Sequence, residues 1–325
     1  MALRLRLAPV HTEFDFFKHA KLTFGGSVAL SVLAIVLWAV MGLNFGIDFK
    51  GGTTIRTEST TVVDVAAYRA TLKPLGIGDV AITEVFDPSF RADQHVAQIR
   101  IAALEGSEAV TPELIAAMES ALTAQDPAIR FTAVESVGPK VSGELIWSAI
   151  KAMVIATGAI LIYIWLRFEW QYAVGAVAAL VHDVFITIGM FAALQLKFDL
   201  TIIAALLTIL GYSINDTVVV FDRLRENLVK YKVMPLRDVM NISVNQTLAR
   251  TLMTSFTTLI SLGALLIFGG DVIRGLTFAI FFGVILGTYS SVFVAKNIVL
   301  FLGLDRSEKP KLDPETGAEV AGPKA

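Results

Sequence analysis

Six stretches of the chain are apolar for about the length of a bilayer, and one long stretch between the first two is not. A spanning helix needs about 20 predominantly apolar residues. Segments 24–43, 146–166, 173–194, 200–221, 248–268 and 275–295 meet or nearly meet that requirement. The second is the weakest, because Lys151 leaves only 152–166 free of charge. Lys151 lies near its outer end, where an ammonium can snorkel to the interface. Trp147, Trp165 and Trp170 bracket the same segment, as interfacial aromatics do.

The region 47–141 follows other periods. Thr53–Glu58, Val80–Phe86, His95–Ile101 and Ile129–Val137 read as strands. Val62–Leu75 reads as a helix closed by Gly76. Thr111 caps a second helix with Pro112 at its first position, running to about Gln125. Leu114, Met118 and Leu122 recur at helical spacing and predict its core face. The order β-α-β-β-α-β predicts a ferredoxin-like domain, two helices on one antiparallel sheet. The expected fold is a membrane bundle of six transmembrane helices with one α+β ferredoxin-like extracytoplasmic domain.

Charge in the loops gives the orientation. Arg167, Arg223, Arg225, Lys230, Lys232 and Arg237 fall on one side, and only Lys197 and Arg274 on the other. The positive-inside rule therefore puts both termini in the cytoplasm and 47–141 outside. Residues 1–23 are then a cytoplasmic N-terminus, 222–247 a cytoplasmic loop and 304–325 a polar, disordered tail. Arg4, Arg6, Lys18 and Lys21 before an uncharged run of 26 residues resemble a signal peptide. That run is longer than a signal core, so it is expected to stay as the first span. The expected location is a membrane, crossed several times with both termini cytoplasmic.

Composition narrows the chemistry. The 325 residues are 55% hydrophobic and 17% charged, with a mean hydropathy of +0.67, too apolar for an ordinary soluble domain. No cysteine is present, so disulfides and thiolate chemistry are excluded. His11, His19, His95 and His182 are scattered and form no metal-ligand spacing. No phosphate loop, nucleophile elbow or zinc-protease helix occurs. The chain is expected to be no enzyme, to need no cofactor or metal and to bind no nucleic acid.

What the apolar pattern leaves over are charges in the wrong place. Asp216 lies in GYSINDTVVVFDRLREN (Gly211–Asn227), between two apolar runs, and an acid there is a functional candidate. Arg250 opens the fifth segment at what the loops suggest is a similar depth. Thr247, Arg250, Thr251, Thr254, Thr258 and Ser261 recur at spacings of three and four, predicting one polar helix face. Apolar burial and a neighbouring arginine pull an aspartate's proton affinity in opposite senses, so an Asp216–Arg250 pair could titrate. It could also be a static packing pair. Asp183, beside His182 in mid-span, is either a second relay group or a hydrogen-bond acceptor. Asp222, Arg223, Arg225 and Glu226 read as a solvated helix extension. Gly283 and Gly287 allow close helix packing. Gly46–Gly52, taken alone, reads as a flexible exit turn.

Taken together, GIDFKGG after the first span, VGPKVSGEL before the second, VHDV in the third, GYSINDTVVVFDRLREN in the fourth and QTLARTLMTSFTTL in the fifth resemble the SecD/SecF family of protein-export membrane proteins. The resemblance runs from about residue 15 to 303, and the short external region fits the SecF branch. That family belongs to the resistance–nodulation–division superfamily. The resemblance implies a SecD partner, the Sec translocon channel (SecYEG), a YajC-type accessory subunit, a translocating preprotein and use of the proton gradient. It implies that Asp216 and Arg250 are proton-pathway residues, with Asp183 the next candidate. Two alternatives stay open: a small-molecule or lipid exporter of the same superfamily, and a non-transporting assembly scaffold.

Overall fold

The computed structural model describes residues 12–77, 80–102 and 110–304. The basic residues before Thr12 and the tail expected after residue 304, save residue 304 itself, lie outside the described residues. The first helix, α1 (Ala20–Met41), is followed by a two-residue strand, β1 (Asn44–Phe45), and a single helical turn, α2 (Ile47–Lys50). The domain then follows as β2 (Gly52–Ser59), α3 (Val65–Leu72), β3 (Val80–Val85), β4 (His95–Ala102), α4 (Pro112–Gln125) and β5 (Arg130–Val137). Its sheet is antiparallel in the order β3-β4-β2-β5. That is the ferredoxin-like arrangement, in which each helix crosses over so that a strand fits between its two neighbours.

Local chemistry explains the boundaries. Asp64 accepts the Ala66 and Ala67 amides at 3.0 Å and so starts α3 three residues later than periodicity suggests. Gly76 sits at φ 65°, a left-handed stop that favours glycine. Thr111 accepts the Leu114 amide at 3.4 Å at the head of α4. The helices cover one sheet face: Tyr68 and Leu72 of α3 and Met118 and Leu122 of α4 pack on Ile55, Ile82, Ile99 and Ile101. All four helix residues are nearly or fully buried, so the helix faces are core.

The bundle continues with α5 (Pro139–Arg167), α6 (Trp170–Leu194), a two-residue strand β6 (Lys197–Phe198), α7 (Leu200–Lys230), α8 (Leu236–Phe268) and α9 (Asp271–Ser290). A π-helical turn, Ser291–Ala295, joins α9 to α10 (Lys296–Leu302). Among the described residues six helices are long and apolar enough to cross a membrane, with α9, the π turn and α10 counting as one. Helices α6, α7 and α9 form the buried centre, and α1, α5 and α8 stay largely exposed around it. Most helices outrun their apolar windows. A 31-residue helix such as α7 spans about 46 Å, beyond the ~30 Å hydrocarbon core, and hydrogen bonding carries it on into water. The expected loop 222–247 is therefore mostly helix, with only 231–235 between α7 and α8.

Two junctions tie the domain to the bundle. Gly46–Gly52 is folded rather than a flexible turn. Strand β1 pairs with β6, and the Gly46 amide donates to the Phe198 carbonyl at 2.8 Å. Asp48 accepts the Leu200 amide at 3.0 Å, capping the start of α7. Rings of Phe45, Phe49 and Phe198 pack about this corner. Gly51 at φ 73° and Gly52 at φ 133° make the turn into β2, a path side chains resist. At the second junction Phe86 and Asp271 exchange two bonds. The Phe86 amide donates to Asp271 Oδ2 at 2.7 Å, and the Asp271 amide donates to the Phe86 carbonyl at 3.0 Å.

Within the centre, Gly283 and Gly287 let α9 lie against α7. A Cβ at Gly283 would overlap the Ile209 side chain, and one at Gly287 would meet Ser213 Cβ at 2.9 Å. Overpacking of this kind costs about 1–3 kcal/mol or more. Gly283→Val is expected to lower the thermal midpoint of the detergent-purified protein markedly. Gly158→Ala, where nothing lies within 4 Å, is expected to raise stability by up to about 1 kcal/mol through helix propensity. Equal midpoints for the two variants would contradict the close α7–α9 contact.

Candidate functional site

The centre of the bundle is polar where three helices meet. Asp183 of α6 is fully buried. Its Oδ2 accepts from Ser213 of α7 and Ser290 of α9, both at 2.7 Å. Its Oδ1 lies 2.9 Å from His182 Nδ1. One carboxylate thus holds α6, α7 and α9 together, with its acceptor capacity used on both oxygens. Neighbouring hydroxyls extend the contact. Thr217 and Ser291 share a bond of 2.8 Å, and Ser291 also donates to the Ser213 carbonyl at 3.3 Å. Thr217 and Ser291 also bond back to a carbonyl four residues earlier, as serine and threonine do inside apolar helices. The ring of His182 stacks near Tyr289, whose hydroxyl donates to the Thr23 carbonyl and lies 2.9 Å from Ser27 Oγ, which brings α1 into the same network.

Asp216 is the opposite case. It is 3% exposed, on the same helix and less than one turn beyond Ser213, and its Oδ2 is buried with no hydrogen-bond partner. Thr251 Oγ1 of α8 is likewise buried and unpartnered. A buried polar atom without a partner is costly, and Arg100 Nε, Gln171 Oε1 and His182 Nε2 share that condition. Among the described residues no ion pair within 4.0 Å joins Asp216 to Arg250, and Arg250 is exposed. The α7–α8 register shows why. Tyr212 meets Thr258 at 3.5 Å and Asn227 meets Ser243 at 2.9 Å. Asp216 is then level with Thr254, and Arg250 with Val220, about 6 Å further along the axis. The two residues are attached to their helices at levels roughly one turn apart.

The polar stripe on α8 divides. Thr247 and Thr251 are buried, Thr254 and Thr258 are half-buried, and Arg250 and Ser261 are exposed. Ser255, which the spacing did not select, reaches α9 and bonds Thr288 at 2.6 Å. Ser213, Ser290 and Ser291 were also passed over. The signal for Ser213 was present, a small polar residue three positions before an intramembrane acid. The surface cluster is solvated as expected, with Asp222 paired to Arg167 at 3.3 Å and Arg223 to Glu226 at 2.6 Å, all about half exposed. Among the described residues no group of three His, Asp or Glu side chains could hold a metal ion.

The chain matches two family models: the C-terminal model of the protein-export membrane proteins SecD/SecF over residues 117–305, and the SecD/SecF GG motif over residues 36–61. It is 66% identical to the protein translocase subunit SecF of Cereibacter sphaeroides over 321 residues, 99% of both chains. It is 64% identical to SecF of Rhodobacter capsulatus over 320 residues, 97% of this chain and 96% of that one. SecF of Rickettsia bellii is 39% identical over 306 residues, 94% and 98% of the two chains. Among solved structures it is similar to the translocon-associated membrane protein SecDF of Thermus thermophilus, with a TM-score of 0.78 and 36% identity. The match covers 93% of this chain and 39% of that longer one. A second SecDF structure, in a super-membrane-facing form, gives a TM-score of 0.68 at 37% identity over 91% of this chain. With both models matched, and with identities of this size over nearly the whole of each curated relative, the chain belongs to the SecF family of protein translocase subunits.

Proposed function

We propose that this chain works with a SecD partner as one half of a proton-driven assistant to preprotein export, beside the SecYEG channel. The observation that carries the proposal is Asp216, a buried carboxylate with an unpartnered oxygen, on α7 about one helical turn from the level of Arg250 on α8. In this reading a proton reaches Asp216 and weakens its attraction to Arg250. That biases two packings of α7 against α8 and α9, as charge-change switches do. One charge crossing 100 mV supplies about 2.3 kcal/mol, enough to shift such an equilibrium severalfold. The domain follows because Asp48 caps α7 and Asp271 of α9 holds Phe86. The chain itself makes and breaks no bond.

Asp183 fits the anchor better than the relay. Both of its oxygens already carry hydrogen bonds, whereas the buried Oδ2 of Asp216 carries none. Family membership favours this reading over the small-molecule or lipid exporter. The unpartnered acid favours it over a static scaffold, whose buried charges would be paired. The bundle is read as a bacterial inner-membrane protein with both termini cytoplasmic and the domain in the periplasm. A YajC-type subunit is a further partner of this reading.

Three outcomes test it. Asp216→Asn keeps shape and mimics the protonated charge. It is expected to leave the protein folded at normal membrane abundance and to abolish gradient-dependent export of a reporter. Arg250→Lys keeps the charge but loses the planar fork, so rescue should be partial, and the double variant should be no worse than Asp216→Asn alone. Normal gradient-dependent export by Asp216→Asn sinks the mechanism. For Asp183 the expected loss is in stability. Asp183→Leu strands the Ser213 and Ser290 hydroxyls and the His182 ring, costing about 2–4 kcal/mol, seen as a lower thermal midpoint, while export per surviving molecule persists. Loss of export at unchanged stability would return Asp183 to the proton path. Finally, protease added to intact spheroplasts should cut within 47–141 and spare 222–247, and cleavage of 222–247 from outside would reverse the topology.

A further inference from the structure

The end of the bundle opposite the domain holds a buried charge that the transport reading does not use. Lys296 opens α10 and is 1% exposed. An ammonium has three protons to donate, and one acceptor is in place, the Phe16 carbonyl at 3.3 Å. The remaining contacts are aromatic. Ring centres of Phe17, Phe16 and Phe293 lie 4.1, 4.9 and 5.4 Å from Nζ. Rings attract a cation and take no proton from it in an ordinary hydrogen bond, so this cage holds the charge while leaving it short of acceptors.

Two of the three rings and the acceptor come from residues 12–17, which precede α1. This segment is fastened to α8 by two asparagines four apart, hence on one helix face. The Phe14 amide donates to Asn245 Oδ1 at 2.9 Å, and Asn245 Nδ2 donates to the Phe14 carbonyl at 2.8 Å. The Phe16 amide donates to Asn241 Oδ1 at 2.9 Å. Thr12 Oγ1 adds a bond of 3.3 Å to the Asn245 carbonyl. Asp15 faces Arg237 at 3.6 Å, and the Arg237 guanidinium lies 5.7 Å over Phe17. The segment is thus a strap pinned across α8 that lays a lid of rings on Lys296.

Its attachments are polar bonds at partly exposed positions, and opening would give the ammonium the water it lacks. The strap is also wired to the membrane core. Lys296 directly follows the π turn Ser291–Ala295, which supplies the cage ring Phe293. The same turn begins at Ser291, bonded to the Ser213 carbonyl, next to Ser290, which holds Asp183. A π turn carries one residue more than the α-helical turn it replaces. Closing it to α would rotate everything after it by about 100° and carry Lys296 off the cage.

We propose that residues 12–17 form a releasable strap, closed on Lys296 in this structure, and that the π turn Ser291–Ala295 links its opening to rearrangement of the Asp183 and Asp216 core during transport. The link to transport rests on the proton-driven reading, and the strap itself does not.

The strap is read directly by hydrogen exchange on the protein in membranes. The Phe14 and Phe16 amides should exchange about tenfold or more slowly than in an unstructured peptide. Asn241→Ala with Asn245→Ala should abolish that protection while α6 and α7 keep theirs. Unprotected amides in the unaltered protein overturn the strap. Release is tested by holding it shut. The chain has no cysteine, so Asp15→Cys with Arg237→Cys can be joined within it by a reducible dithiol-reactive linker in vesicles carrying the whole translocase. Export is expected to fall severalfold and return on reduction, with each single cysteine unaffected by the reagent. Undiminished export by the fully linked protein overturns release. If linking blocks export while Asp216→Asn exports normally, the proton reading fails and the strap stands. If Asp216→Asn is inactive and linking is harmless, the strap's part in transport is removed and the proton reading stands.

Discussion

The carboxylate of Asp183 has no water to turn to. In the centre of a bilayer each polar group must find its partners within the protein. Asp183 finds them on three helices at once, through His182, Ser213 and Ser290. The rest of the bundle follows from that demand. Bonds of 2.7 Å from α7 and α9 require those helices to come close. Closeness requires small residues, and Gly283 and Gly287 supply them where α9 meets Ile209 and Ser213. Helices without a share in the network, α5 and α8 above all, remain at the outside with apolar faces exposed.

Against this satisfied acid, the neighbouring one is informative. Asp216 lies less than a turn from Ser213 and leaves an oxygen unpartnered. The same constraint that makes Asp183 rigid makes Asp216 restless, since any proton, water or guanidinium that reaches it relieves a cost. The two acids thus differ in kind: Asp183 is held by hydroxyls of α7 and α9, and Asp216 leaves a buried oxygen without a partner. The two junctions at Asp48 and Asp271 fix the ends of α7 and α9 to the chain around the domain.

The other end of the molecule shows the constraint in a second form. Lys296 meets its isolation from water with three ring faces and one carbonyl, and it borrows most of these from the segment before α1. The last span runs from Asp271 to Leu302 through a π turn that holds both Ser291 of the polar network and Phe293 of this cage. Core and cage are therefore ends of one element.

The apolar pattern alone determined the six spans, because burying an unsatisfied backbone in lipid permits only helices, and length is then read off hydropathy. Strand alternation, the Thr111–Pro112 start and the Gly76 stop likewise determined the order of the domain, since these signals act within a few residues. An acid at position 216 was legible as a candidate because its cost is local too. What the sequence could not decide is who stands opposite whom. Loop charges suggested that Asp216 and Arg250 share a depth, but the register of α7 on α8 separates them by about a turn. Helices run past the ends of the apolar segments because hydrogen bonding does not stop where hydropathy does. Ser213, Ser255, Ser290 and Ser291 look like ordinary tolerated serines in their own spans, and Lys296 looks like a charge near a helix end. Each acquires its meaning from an atom 30 to 280 positions away along the chain. Only the packed helices bring such pairs within 3 Å or so, because the bilayer dictates that polar groups be paired and leaves the choice of partner to the tertiary fold.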